Sequence, residues 1–129
     1  MLYRYKKSFK KVAMGLLSLT TKNKSVSHLS ETIEVYEKNT QKQLYFWKEG
    51  ENITGLAGVE IGDHDFSILH LSVNPSYPVE ETGMKIVEEL RLLMRGKEMI
   101  LSRDAALYLG KIRHMAEDIM PYREEKEIS

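Results

Sequence analysis

Hydrophobic residues recur every three or four positions in the first third of the chain. Over Lys7 to Leu19 the apolar positions follow the spacing i, i+3, i+4, i+7 and i+8, with lysines on the other face, which predicts an amphipathic helix. Its predicted inward stripe is Phe9, Val12, Ala13, Leu16 and Leu17. A second helix is predicted from an N-cap at Ser27 to near Asn39. Its inward stripe is Leu29, Ile33 and Tyr36.

The pattern then changes to apolar runs rich in aromatic and β-branched residues, which favour strands. Gly50 to Asn52 and Gly62 to Asp65 separate these runs and read as turns. Strands joined by such short turns form an antiparallel meander. The predicted strands, with a short one at the start of the chain, are Met1 to Tyr5, Leu44 to Trp47, Ile53 to Ile61 and Phe66 to Val73.

Helical spacing returns after Asn74. A long helix is predicted from Val79 to Arg95 and ends at Gly96. The brief apolar run Met99 to Leu101 is predicted to pair in parallel with the third long strand, because a helical crossover connects the two. Asp104 is the predicted cap of a last helix, whose inward residues are Ala105, Tyr108, Leu109 and Ile112.

The predicted order of elements is therefore β-α-α-β-β-β-α-β-α. This order predicts an α/β (α+β) fold, with a mixed, mainly antiparallel sheet and helices on both of its faces. The 129 residues predict one domain, over residues 1–120, followed by a charged and mobile tail over residues 121–129. Nothing after Gly110 reads as a strand.

Composition narrows the class of protein. Hydrophobic residues make up 42% and charged residues 29% of the chain, as in ordinary globular proteins. There is no apolar run near the ~18 residues that a membrane span needs. Because the chain has no cysteine, disulfides, thiolate nucleophiles and cysteine-bound zinc are excluded. Together these features predict a cytoplasmic protein.

The charge is zero overall but is unevenly distributed. Residues 1–24 contain seven basic residues and no acidic one, namely Arg4, Lys6, Lys7, Lys10, Lys11, Lys22 and Lys24. A basic segment can attract nucleic acid or a phosphorylated ligand. The solvated face of a helix is the favoured interpretation, because exposed aromatic residues do not alternate with these charges and the whole chain is neutral.

The junction of the third long strand with the third helix is a candidate anion site. The strand ends at Asn74-Pro75, and a helix begins a few residues later. The first N–H groups of a helix have no intrahelical acceptor, and the helix dipole favours negative charge there. Such a junction is typical of phosphate binding.

Several short segments, spread over every predicted element up to about Arg95, resemble the GNAT acetyltransferases. The likeness is specific to the RibT group, small acetyltransferase-like proteins encoded in bacterial riboflavin-biosynthesis operons. The matching segments are Arg4-Tyr5-Lys6-Lys7-Ser8-Phe9, Ala13-Met14-Gly15-Leu16-Leu17-Ser18, Trp47-Lys48-Glu49, Gly58-Val59-Glu60 and Ser72-Val73-Asn74-Pro75-Ser76.

The resemblance implies a site for acetyl-coenzyme A. It places the pantetheine arm between the third long strand and its parallel neighbour, and the pyrophosphate at the start of the third helix. The implied contacts, mostly through the backbone, are Leu71, Ser72, Val73, Thr82, Gly83 and Met84. The chain departs from the family's pyrophosphate pattern, because Pro78 replaces its arginine, Glu81 replaces its first glycine, and Glu80 adds a second acid. Pro78 has no N–H, and the two acids oppose a bound phosphate.

Acetyl transfer needs a base for the acceptor amine and an acid for the leaving thiolate. The resemblance implies Tyr108 as the acid, with a core tyrosine as the alternative. His70, acting through a water, and Glu60 are the candidate bases. The alternatives are a packing histidine and a solvated carboxylate. Asp63, His64 and Asp65 share one turn, a pattern that disfavours a metal site.

Two functions follow from the resemblance. The first is an N-acetyltransferase that acts on a primary amine of a small molecule linked to riboflavin metabolism. The second is a degenerate, non-catalytic module that binds coenzyme A or regulates, which the acids at the helix start favour. The family's C-terminal strands are missing from the predicted order, so the acceptor side of the pocket is either incomplete or completed by a second copy of the chain.

Overall fold

The computed structural model describes residues 1–110 and the backbone of residues 123–124. The strands are β1 (Leu2–Arg4), β2 (Lys42–Glu49), β3 (Asn52–Ile61), β4 (Asp65–Val73), β5 (Glu98–Leu101) and β6 (Arg123–Glu124). The helices are α1 (Lys10–Leu17), α2 (Val26–Lys38), α3 (Val79–Leu93) and α4 (Arg103–Gly110), and a single 3-10 turn over Lys7–Phe9 precedes α1. The predicted order of the first nine elements is confirmed.

The first two helices differ from the prediction at their starts. A 3-10 turn precedes α1, and the buried stripe of the helix shifts. Phe9 and Val12 are therefore 43% and 40% exposed instead of buried. In α2 the N-cap is Ser25, not Ser27, since the Ser25 hydroxyl accepts a hydrogen bond from the His28 N–H at 3.2 Å. An extended residue with this side-chain contact is what a helix start requires.

The six strands lie side by side in chain order. β1 to β4 pair antiparallel, as the meander predicted, and β4, β5 and β6 pair in parallel. A β-bulge interrupts the β3–β4 ladder, where Gly58 pairs with His70 and Val59 pairs with Ile68. Leu69 therefore has no partner in β3, and the bulge changes which face of the sheet the following residues occupy.

The sheet separates two hydrophobic cores. The side chains of Leu44, Phe46 and Leu56 pack against α1 and α2. On the other face Phe66, Ile68, Leu71 and Val73 pack against α3 and α4. The prediction of helices on both faces is confirmed. Trp47 is buried in the second core.

The last helix begins differently from the prediction. Ser102, not Asp104, caps α4, because the Ser102 hydroxyl accepts a hydrogen bond from the Ala105 N–H at 3.1 Å. Ala105 and Leu109 are buried and Tyr108 is half-buried, as predicted, whereas Ile112 lies outside the described residues.

One strand lies beyond the predicted set. Arg123–Glu124 pairs in parallel with Ile100 and Leu101 of β5, so the expectation of no strand after Gly110 is wrong at this point. Two charged residues carry no apolar pattern, and only their position beside β5 makes them a strand. Apart from these two residues, the predicted tail at 121–129 lies outside the described residues.

Candidate active site

A gap between β4 and β5 is the central feature of the candidate site. The parallel pairing runs only from Asp65–Glu98 to Ile68–Leu101. Beyond it Ser102 replaces the strand, since its N–H donates to the Ile68 carbonyl at 2.9 Å and its hydroxyl donates to the Leu69 carbonyl at 3.0 Å. β4 continues to Val73, whereas the chain after β5 turns into α4. The last residues of β4 therefore have no strand on this side.

The open edge of β4 presents the backbone groups of Leu71 and Val73. The Asn74 N–H donates to Thr54 of β3, whereas the Val73 N–H points away from β3. Because the edges alternate along an antiparallel strand, the N–H and C=O of Leu71 lie on the same open edge as those of Val73. A linear ligand with amide groups can pair with this edge as an added strand does.

The Tyr108 side chain extends from α4 into this gap. Its hydroxyl accepts a hydrogen bond from the Val73 N–H at 3.2 Å. Burial raises the pKa of the Tyr108 phenol, while the hydrogen bond from the Val73 backbone acts in the opposite direction. Tyr108 is therefore protonated at neutral pH and carries a proton that it can donate within the gap.

The three predicted contacts in β4 do not share a face. Leu71 and Val73 bury their side chains under α3 and α4. The Ser72 side chain lies on the opposite face, where its hydroxyl is 2.6 Å from the hydroxyl of Thr20 in the α1–α2 connection. Ser72 therefore attaches that connection to the sheet, while its neighbours form the floor of the gap.

The start of α3 exposes N–H groups without intrahelical acceptors. Pro78 is the N-cap and makes no side-chain hydrogen bond, and the Thr82 N–H donates to the Pro78 carbonyl at 2.9 Å. The N–H groups of Val79, Glu80 and Glu81 precede that first helical bond, so helix geometry gives them no partner. Of the predicted contacts in this turn, Thr82 and Gly83 are buried and Met84 is half-buried.

The acids of this turn are on the surface. Glu80 and Glu81 are exposed. Glu81 forms an exposed ion pair with Lys85, one helical turn later, at 3.3 Å. This pair draws the Glu81 carboxylate along the helix and compensates part of its charge. The negative charge at the helix start remains, and it stabilises the helix without a ligand.

His70 lies on the α2 face of the sheet, paired with Tyr36. Its Nδ1 atom is 2.6 Å from the Tyr36 hydroxyl, and the two rings meet edge to face with centroids 5.7 Å apart. Burial lowers the pKa of His70 to about 4, against a smaller opposing effect of Asp104. The imidazole is therefore neutral at physiological pH and can accept a proton.

Tyr36 is the residue of this site that the sequence pattern did not identify. Its helical spacing indicated a core position, and it is indeed 7% exposed. Burial raises the pKa of its phenol far above the ordinary value, with Glu60 contributing in the same direction. The sequence signal that could have identified it is Gly58, which leaves room for a large side chain above β3.

Glu60 lies two residues after Gly58 on β3. Side chains two apart on a strand share a face, so Glu60 and Tyr36 lie on the same side of the sheet. Of the candidate residues, the structure pairs His70 with Tyr36, places Glu60 on the same face of the sheet and places Tyr108 in the gap.

The Asp63-His64-Asp65 turn is held by other contacts. Lys97 donates to the carbonyl oxygens of Gly62 and Asp63, the latter at 2.9 Å. Within the described residues no group of three or more histidine, aspartate or glutamate side chains could hold a metal ion. Nor does this part of the chain contain a helix that is long and apolar enough to cross a membrane.

Comparisons with known proteins agree with this geometry. No protein-family model matches the chain. The chain is 41% identical over 112 residues to an uncharacterised N-acetyltransferase encoded in the lysA 3′ region of Bacillus methanolicus, covering 86% of this chain and 93% of the relative.

Two solved structures share the fold. A probable acetyltransferase aligns over 100% of this chain and 93% of its own, with a TM-score of 0.78 and 10% identity. A GNAT family acetyltransferase from Elizabethkingia anophelis, with acetyl-CoA bound, aligns over 86% of this chain and 72% of its own, with a TM-score of 0.62 and 18% identity.

Proposed function

The chain belongs to the GNAT acetyltransferase family, and on that premise we propose that it transfers an acetyl group from acetyl-CoA to a primary amine of a small molecule. The observation that carries the proposal is the β4–β5 gap, in which the Tyr108 hydroxyl accepts a hydrogen bond from the Val73 N–H at 3.2 Å. The gap offers an acid and a free strand edge in one place, and transfer from a thioester needs both.

The two parts of the coenzyme site fit the ligand unequally. The open edge of Leu71 and Val73 suits the two amide groups of a pantetheine arm. The α3 start offers N–H groups to a pyrophosphate, but Glu80 and Glu81 place two carboxylates nearby. Each opposes a phosphate charge by about 1 kcal/mol in water. We therefore propose that the strand edge supplies most of the coenzyme affinity, with Ser72, Thr82, Gly83 and Met84 supporting the two ends of the site.

The proposed reaction divides proton transfer between the two faces of β4. An acceptor amine arrives as an ammonium ion and loses a proton to His70 through a water, with Glu60 as the further carboxylate. The free amine attacks the thioester carbonyl, the carbon–sulfur bond breaks, and Tyr108 donates its phenolic proton to the leaving sulfur. The proton that the amine nitrogen loses as the amide forms returns to the Tyr108 phenolate. Neutral His70 and protonated Tyr108 have the protonation states that these roles require.

Turnover with a panel of amines tests this proposal. Release of free thiol from acetyl-CoA, measured with wild-type protein, should require an acceptor amine, and Tyr108→Phe should lower kcat at least tenfold while leaving the KM for acetyl-CoA within about threefold. A variant with unchanged kcat would remove Tyr108 from the role of acid. The matched control is Tyr77→Phe, which changes another tyrosine near the start of α3.

A non-catalytic module that binds coenzyme A or regulates is the second candidate. The acids at the start of α3 favour it, because they stabilise that end without a ligand. Calorimetry separates the two: binding of coenzyme A with no turnover on any amine supports the module, whereas neither binding nor turnover contradicts both proposals.

The resemblance to the RibT group supports an acceptor connected with riboflavin metabolism, so amine-bearing intermediates of riboflavin synthesis belong in the panel. We also propose a cytoplasmic location, because the chain has no cysteine and the co-substrate is a metabolite of that compartment.

We propose further that a homodimer completes the acceptor side of the pocket. Sedimentation in the analytical ultracentrifuge, with and without acceptor, tests whether a second copy is needed.

A further inference from the structure

Tyr36 contacts His70, one of the two candidate bases, and experiences the charge of the other, Glu60. Its hydroxyl is 2.6 Å from Nδ1 of His70, a separation of 34 residues along the chain. Its ring packs edge to face on the imidazole at 5.7 Å. The phenol is therefore fixed in both distance and orientation relative to the imidazole.

Gly58 makes this placement possible. A Cβ atom at position 58 would lie 2.1 Å from the Tyr36 hydroxyl oxygen and 2.4 Å from the ring carbon that bears it. No side chain other than hydrogen fits there. The hydroxyl consequently rests directly on the backbone of β3, opposite the rung at which Gly58 pairs with His70.

Glu60 is displaced along β3 from the rung that pairs Gly58 with His70. It is two residues beyond Gly58 on the same face of β3, which corresponds to about 6.6 Å along the strand. From this position Glu60 acts electrostatically on the Tyr36 phenol, and one water molecule can bridge polar groups that do not touch. Lys42 pairs with Glu60 across the β2–β3 ladder.

We propose that Tyr36 relays a proton from His70 to Glu60, so that the base of the reaction is a chain of three groups with its entry at Nε2 of His70. The inference rests on the proposed function. Tyr36 is a positioning and relay residue, since it touches His70 and not the acceptor.

The relay balances in three transfers. The acceptor ammonium gives a proton to Nε2 of His70, through the water, and an Nε2–H bond forms. The Nδ1–H bond breaks as that proton passes to the Tyr36 oxygen. The original phenolic proton leaves Tyr36 through the bridging water to the Glu60 carboxylate. His70 ends neutral as its Nε2–H tautomer, and no imidazolium accumulates. The resting tautomer must accordingly be Nδ1–H.

The charges around His70 suit such a transfer. Asp104 of α4 favours the protonated imidazole, while Lys42 of β2 and His28 of α2 disfavour it. Glu60 acts on the Tyr36 phenol from β3. Burial is the larger effect, and it leaves the imidazole unsuited to keep a proton.

Nitrogen NMR of the His70 ring in the wild-type protein tests the resting state without any activity. The expected spectrum has a protonated Nδ1 and an unprotonated Nε2 at pH 7. In Tyr36→Phe, which keeps the ring and loses the hydroxyl, the Nδ1–H signal should weaken in favour of Nε2–H. A wild-type ring found as Nε2–H would overturn the relay whether or not the protein is an acetyltransferase.

Kinetics tests the relay itself. Tyr36→Phe and Glu60→Gln should each lower kcat about tenfold or more and abolish the acidic limb of the pH–rate profile, with the KM for acetyl-CoA unchanged. Tyr5→Phe is the matched control, because the Tyr5 hydroxyl also donates to a carboxylate, that of Glu37 at 2.7 Å, and it should retain wild-type kcat. If the double variant is slower than the product of the two single effects, the two residues do not act in one chain. Wild-type kcat in Tyr36→Phe would overturn the relay.

Discussion

Single residues decide the protonation states of the candidate site. His70 is neutral because burial lowers its pKa to about 4, and Tyr108 keeps its proton because burial raises the pKa of its phenol. Both shifts have the same physical origin, since a poorly hydrated environment disfavours whichever form carries charge. The histidine and the tyrosine are therefore both held in their neutral forms at neutral pH.

The shifted pKa of His70 predicts a dependence of stability on pH. The unfolded chain binds a proton at His70 below about 6.5, whereas the folded chain does so only near pH 4. Stability should therefore fall by up to about 3 kcal/mol as the pH decreases from 6.5 to 4. Urea denaturation across this range, compared with His70→Asn, measures the contribution. His64→Asn changes a histidine in an exposed turn and should leave the pH dependence of stability intact. If His64→Asn removed that dependence, the effect would belong to His64 and not to His70.

Gly58 predicts a steric cost. Gly58→Ala would place a Cβ atom 2.1 Å from the Tyr36 hydroxyl oxygen, and the displaced ring should cost about 1–3 kcal/mol of unfolding free energy. Gly15→Ala is the control, because a Cβ there meets nothing within 4 Å and alanine in a helix gains about 0.5–1 kcal/mol. Equal effects of the two substitutions in urea denaturation would mean that Tyr36 does not rest on Gly58.

At the scale of elements, the proposed ligand contacts two features of the fold, the open edge of β4 and the start of α3. The β4 edge is open because β5 ends at Leu101 and Ser102 turns the chain into α4. The α3 start is open because Pro78 provides no capping side chain. A ligand that spans both ends would connect the backbone of Leu71 with the N–H groups that open α3.

Amide exchange should reveal the open edge. The Leu71 N–H points out of the ladder, so it should exchange faster than the N–H of Ser72, which faces β3. Saturating coenzyme A should slow exchange at Leu71 and leave Ser72 unchanged. NMR-detected hydrogen exchange measures both amides in one sample, and an unprotected Leu71 in the complex would exclude pairing at the strand edge.

Removing the charge of Glu81 should tighten coenzyme binding. Glu81→Gln takes a carboxylate away from the α3 start and frees Lys85 from its ion pair, so the Kd for coenzyme A should fall about fivefold, equivalent to about 1 kcal/mol. Glu88→Gln removes an exposed charge two turns later on the same helix and should have little effect. Calorimetry that finds the same Kd in both variants would place the Glu81 carboxylate away from the pyrophosphate.

At the scale of the whole molecule, the sheet works as a partition. The core on the α3 and α4 side holds the floor of the gap, and the core on the α1 and α2 side holds Tyr36 and its neighbours. β2 and β3 contribute side chains to both cores, and β4 places Leu71 on one face and His70 on the other. A ligand at its edge should therefore stabilise both halves together.

Coenzyme A should raise the stability of the domain as one unit. At one hundred times its Kd it should add about 2.7 kcal/mol to the free energy of unfolding, which for a chain of this size raises Tm by about 10 °C. Adenosine diphosphate, which lacks the pantetheine arm, should give a much smaller rise at the same concentration. An equal rise with both ligands would place the main affinity at the α3 start and not at the strand edge.

The sequence by itself determined the elements, their order and the parallel crossover, because hydrophobic period, turn residues and connection length are local properties of the chain. It missed features that depend on partners far away in sequence. One β-bulge arises from the pairing of β3 with β4, where Leu69 is skipped, and it brings His70 to the α2 face.

Tertiary structure also decided the chemistry of the site. Tyr36 and His70 are 34 residues apart in the chain, and Tyr108 and Val73 are 35 apart. Ring and hydroxyl contacts of this kind carry no periodic signal, so Tyr36 read only as a core residue. Local patterns specify where the chain is helical or extended, whereas strand register and packing across the sheet specify which side chains meet, and the meeting of Tyr36 with His70 sets where a proton can go.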